Sequence, residues 1–137
     1  AISKSAVRGF KVYNSKAKCN ACHSGWSFTD HSFHDIGVKS EDKGRGKLLP
    51  LASMQHAFKT PGLRNITERG PYMHNGSEKT LMDVVEFYNR GGDVKRPSVS
   101  ASVTKLNLNR SEKKDLVAFL ETLTSQDKPV TLPILPQ

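Results

Sequence analysis

Both cysteines of this chain fall within one pentapeptide, Cys19-Asn20-Ala21-Cys22-His23, and no other stretch restricts the possible folds as strongly. Two thiols three residues apart, followed at once by an imidazole, form the attachment pattern of haem c. Each part has a chemical reason. The thiols meet the two vinyl groups along one edge of the porphyrin, and the imidazole is then held beneath the ring as an axial ligand to iron. A domain built this way need not fill its interior with side chains alone. The composition agrees: only 36% of the 137 residues are hydrophobic, and ten glycines and seven prolines point to much irregular backbone around a modest core.

Competing readings of the motif are weaker on chemistry. A Cys19–Cys22 disulfide would close a small strained loop, and a thioredoxin-type pair needs a strand running into a helix at the motif, which the pattern lacks. A zinc site from Cys19, Cys22, His31 and His34 has its two halves, and its two histidines, closer together than the usual spacings. No apolar run approaches the ~20 residues needed to cross a bilayer, so no membrane span is expected. The chain opens on Ala1 rather than Met, which suggests processing.

Helical periodicity occurs in three places. Residues 3–18 carry Ala6, Phe10, Tyr13 and Ala17 on one face, with Ser3 or Ser5 as cap, and Gly9 in their midst predicts a second helix passing close by. A second helix is expected from Ser77 or Glu78 to Arg90, with Thr80 and Asp83 as a capping pair and Gly91-Gly92 as the stop. Its Leu81, Val84, Val85 and Tyr88 share an inward face. The third covers about 111–124 through Leu116, Phe119, Leu120 and Leu123, with Phe119 and Leu120 as neighbours for Gly9 and Phe10. Residues 24–71 show no sustained period, and a loop this long in a small domain normally surrounds something. The tail 129–136, rich in proline, should lie extended. The fold class expected is all-α, a cytochrome c-like single domain over 1–137 with about three main helices around one covalent haem c.

The remaining motifs narrow this further. They are Ala6-Val7-Arg8-Gly9-Phe10, Phe33-His34-Asp35-Ile36-Gly37, Phe58-Lys59-Thr60-Pro61-Gly62-Leu63-Arg64-Asn65, Gly70-Pro71-Tyr72-Met73-His74-Asn75-Gly76 and Glu86-Phe87-Tyr88-Asn89-Arg90-Gly91-Gly92. With them the chain resembles the C-terminal, electron-transferring haem domain of the bacterial dihaem cytochrome c peroxidases, and more closely the MauG branch. Those enzymes have two haem motifs and this chain has one, so the resemblance implies peroxidase chemistry only when a partner haem domain is joined to it. It also implies a periplasmic location.

The group on the sixth position of the iron decides much of the function. Candidates are Met54, Met73, Met82, His31, His34, His56, His74 and Tyr88. Spacing in a generic cytochrome c favours Met73, fifty residues past His23 in a loop before a helix. The family resemblance favours Tyr88, about fourteen residues beyond His74, where the peroxidases carry Met and the MauG-like branch carries Tyr. Arg64 lies in the Leu-Arg-Asn segment which, by the same resemblance, sits beside a haem propionate, where guanidinium pairs well with carboxylate. His34 and His74 are read as holding loops or propionates, and Trp26 as pocket wall.

Residues 1–29 contain Lys4, Arg8, Lys11, Lys16 and Lys18 and no acid, against a net charge of +8. A basic face near the haem attachment would steer an acidic redox partner or a second haem-bearing chain. No motif pairs that charge with nucleic acid. The leading expectation is therefore a relay of electrons between a donor and a second redox centre. The alternatives are a haem enzyme with an open sixth position reacting with peroxide, and a monohaem Met-ligated shuttle.

Overall fold

A computed structural model describes residues 1–125. Its helices are α1 (Lys4–Asn14), α2 (Leu81–Arg90) and α3 (Arg110–Glu121), and its one sheet pairs β1 (Phe33–His34) antiparallel with β2 (Phe58–Lys59). The tail at 129–136 lies outside the described residues.

Each helix begins where a polar side chain can take up a free backbone N–H. Ser3 Oγ accepts from the Ala6 amide at 3.1 Å, and Thr80 with Asp83 and Asn109 with Glu112 form reciprocal capping boxes. This corrects two starts. The second helix begins at Leu81, not at 77 or 78, because Glu78 is engaged in a bridge with Tyr72. The third runs from Arg110 to Glu121, and Leu123 reaches the core from beyond its end. The first helix stops at Asn14 rather than 18, since Asn14 Nδ2 donates to the Phe10 carbonyl and Ser15 Oγ to that of Lys11, competing with the helical ladder. Lys18 then turns left-handed and delivers the chain to Cys19.

The main packing contact joins α1 to α3. Gly9 lies so close to α3 that a Cβ there would fall 1.8 Å from the Asp115 carbonyl oxygen and 2.8 Å from Phe119 Cβ, the close passage that the sequence predicts. Around this crossing the Arg8 guanidinium grips Asp115 through two 2.8 Å bonds, Ser5 donates to the same carboxylate, and Lys16 pairs with Glu112 at 2.8 Å. Tyr13 and Phe119 meet with ring centroids 5.0 Å apart, while Phe10 touches Phe119 at 5.3 Å from the rim and remains 51% exposed, not buried as its position in the helical period suggested. On α2, Leu81 and Val85 enter the same core and Val84 is half-buried. Phe87 is fully buried, although its place outside the periodic face gave no sign of it.

The long non-helical region is fastened at both ends. Its excursion through residues 43–57 is closed by bonds from the Arg45 amide to Ala57 O and from the His56 amide to Lys43 O. Buried Asp35 ties it to the segment after α2 through Arg96.

Candidate haem-binding site

Cys19–Ala21 form a single tight turn, from which the Cys22 and His23 amides both donate to Cys19 O. The chain returns at Asp30, whose amide donates to Cys22 O at 2.7 Å. Within this loop the His23 imidazole is oriented by its backbone. Its Nδ1 lies 3.0 Å from the Phe28 carbonyl, and Tyr13 from α1 donates its hydroxyl to His23 O at 2.5 Å. An Nδ1 proton committed to the Phe28 carbonyl leaves Nε2 with its lone pair, the tautomer that binds metal. Burial also lowers the His23 pKa, favouring the neutral ring.

The thiols are free, and burial pushes Cys19 up to about 12 and Cys22 upward as well. A redox-active Cys-x-x-Cys pair needs the opposite shift, toward a stable thiolate, so this environment does not suit disulfide exchange. The four-residue zinc set is not assembled among the described residues. Asp30 takes the place of Cys19 and His31 in the one grouping that forms, Cys22, Asp30 and His34, with ligand atoms within 4.8 Å of one another. His34 Nε2 sits 2.7 Å from the Asp30 carboxylate and so holds the loop. His31 is exposed on a left-handed turn.

Tyr88 stands in the last turn of α2, half-buried, and its hydroxyl makes no hydrogen bond among the described residues. Burial raises its pKa, and the two motif cysteines raise it further, which places the phenol within electrostatic range of both thiols. Attachment of the thiols as thioethers removes that second influence. Met73 is half-buried on a left-handed turn, Met54 and Met82 are half-buried, His56 is held by Asp42 O at 2.8 Å, and His74 stacks on Phe58 at 3.7 Å. Arg64 is exposed; its Nε donates to Trp26 O at 2.8 Å and its guanidinium lies 5.7 Å over the Trp26 ring. Trp26 is itself 79% exposed among the protein atoms, with Arg64 against its ring.

The donor set fits haem c: two protonated thiols, an imidazole fixed with Nε2 available, and an unbonded phenol in the same neighbourhood. A family model described as Cytochrome c matches residues 6–124. The chain belongs to the cytochrome c family. It is 50% identical to the methylamine utilization protein MauG of Methylorubrum extorquens, over 99% of this chain and 39% of that protein, and 34% identical to a cytochrome c peroxidase of Denitromonas iodatirespirans, over 90% and 41%. Among solved structures, a MauG-like protein associated with microbial copper homeostasis superposes with a TM-score of 0.82 at 28% identity, covering 92% of this chain and 48% of that one. The chain thus spans about two fifths of the length of these curated relatives.

Within this cytochrome c domain, several groups that orient the site were not legible as such. Tyr13 fits the helical period and reads as core, but nothing in the sequence discloses that its hydroxyl ends on His23 O. Phe28 reads only as aromatic punctuation, and nothing in the sequence discloses that its carbonyl meets His23 Nδ1.

Proposed function

We propose that this chain is a haem c electron-transfer domain of a MauG-like or dihaem-peroxidase-like system. It passes electrons between a donor and a second redox centre, carried either on the rest of a longer polypeptide or on a partner chain, in the periplasm. Bound haem supplies an iron that alternates between two oxidation states. The chain's residues would determine how it does so: Cys19 and Cys22 would anchor the porphyrin by thioethers, and His23 Nε2 and the Tyr88 phenolate would be the iron's protein ligands. Arg64 is the partner for a propionate.

The observation that carries this reading is the pairing of a tautomer-fixed His23 with an unbonded Tyr88 hydroxyl near both motif thiols. A phenolate donates charge and favours the oxidised iron, whereas the thioether of Met73 would favour the reduced state and a higher potential. The test is ferric electron paramagnetic resonance (EPR), with redox titration, on the haem-loaded chain. Tyr88→Phe should change the signal and raise the midpoint potential, while Met73→Leu leaves both unchanged. An ascorbate-reducible haem whose spectrum responds to Met73→Leu instead would overturn the assignment.

A further inference from the structure

The segment after α2 is joined to the segment after β1 more densely than elsewhere in the loop region, and the join lies within a few residues of Tyr88. The Asp93 and Val94 amides donate to Gly37 O at 2.9 and 3.1 Å, and the Ser100 amide donates to Asp35 O at 2.8 Å. Gly37 and Gly92 permit this approach, since a Cβ on Gly92 would fall 2.9 Å from Ile36 O and one on Gly37 would fall 2.9 Å from Val94 O. At the centre is the Asp35 carboxylate, 1% exposed, which takes four bonds: Arg96 Nε at 2.7 Å, Arg96 Nη2 at 2.8 Å, Ser98 Oγ at 2.7 Å and the Gly37 amide at 2.9 Å.

This latch connects directly to the last turn of α2. The Gly91 amide donates to Tyr88 O and the Gly92 amide to Phe87 O, each at 3.0 Å, so the residue packed on Ile36 is also bonded to the turn that carries the phenol. The other end of the helix is fixed separately, by the Thr80–Asp83 capping box and by Leu81 and Val85 in the core. The two fastenings divide the labour. The core holds the start of α2; its finish is held by the Asp35–Arg96 region together with the Leu106 and Leu108 amides, which donate to Asn89 O and Oδ1 at 3.2 and 2.8 Å.

We propose that Asp35, through Arg96 and Ser98, is a positioning residue for the sixth iron ligand, holding the C-terminal turn of α2 so that the Tyr88 hydroxyl stays at the iron. This rests on the reading of Tyr88 as that ligand. A charge-assisted, bidentate pair suits the task because its geometry is directional as well as strong. With it weakened, the helix end gains freedom and an external ligand competes for the iron.

The experiment uses the haem-loaded chain and follows ferric EPR, the rate of cyanide binding and the unfolding midpoint in parallel. Asp35→Asn should speed cyanide binding by about tenfold, the factor that loss of one charge-assisted bond represents, and should add a high-spin EPR component. Asp115→Asn breaks a comparable ion pair at the α1–α3 crossing. It should lower the unfolding midpoint yet keep the wild-type EPR signal and cyanide rate. Ser98→Ala, which deletes one of the four bonds, should move the cyanide rate in the same direction by about threefold and carries the test if Asp35→Asn does not fold. Wild-type EPR and cyanide rates in the latch variants, with Tyr88→Phe altering both, would overturn the positioning role alone. A wild-type signal in Tyr88→Phe would overturn the ligand assignment and the positioning role with it.

Discussion

Substituting Gly9 by alanine places a methyl group where α1 and α3 already touch. The new Cβ would lie 1.8 Å from the Asp115 carbonyl oxygen, 2.5 Å from its carbon and 2.8 Å from Phe119 Cβ, and the first two atoms belong to a helical backbone that cannot swing aside. The helices must part by about 1.2 Å merely to reach the shortest distance that real Cβ atoms tolerate, and overpacking on that scale costs roughly 1–3 kcal/mol or more. Parting also strains the Arg8–Asp115 bonds and opens the Tyr13–Phe119 contact. Against this stands the better helix propensity of alanine, worth ~1 kcal/mol. Because the clash is with backbone, the upper end of that range applies, and less the propensity gain it leaves an expected loss of about 2 kcal/mol, read by urea unfolding followed by far-UV circular dichroism. Gly25→Ala, at a position with nothing within 4 Å, serves as a comparison in which only the positive φ is penalised. A Gly9→Ala chain as stable as wild type, or more so, would show that the α1–α3 contact is not as close as described.

Two further outcomes follow from the charges. Burial alone would raise the Asp30 pKa, but bonds from His34, the Ser32 amide and Thr60 outweigh it and draw it down to about 2. A carboxylate depressed in the folded state adds stability that is complete above the unfolded value of 3.8 and fades as pH falls toward 2. The gap in melting temperature between wild type and Asp30→Asn should therefore narrow over that window, and a gap constant from pH 6 to pH 2 would refute the assignment. On the basic segment, Arg8 and Lys16 are taken up by α3, which leaves Lys4, Lys11 and Lys18 without ion pairs among the described residues. Electron transfer to an acidic redox protein should slow with added salt, and Lys11→Ala should reduce that salt dependence more than Lys16→Ala; equal effects would argue against a role for pairing.

The parts of the structure that follow a local rule were legible. The haem motif is a contiguous pattern, Thr80–Asp83 is a capping box written in four residues, and Gly9 marked the helix crossing because an isolated glycine in a helix needs a packing reason. What escaped is what depends on the chain meeting itself at long range. Phe87 is fully buried although it lies off the hydrophobic stripe of α2, which is all that the period can signal. The Asp35–Arg96 pair joins residues 61 positions apart, and the Tyr13 bond to His23 O depends on the angle at which α1 hands the chain to the motif. The run of five early cations read as one basic face because the acids that neutralise two of them lie about a hundred residues later.

That same separation bears on the order of events during folding. Ser5 and Asp115 share a hydrogen bond across 110 positions, so the apolar side of the first helix has no cover from α3 until that distant segment docks. Long-range closure of this kind is slow compared with local helix formation. The pentapeptide that takes up the porphyrin directly follows that first helix, so its thiols stand beside a face that stays uncovered until α3 docks.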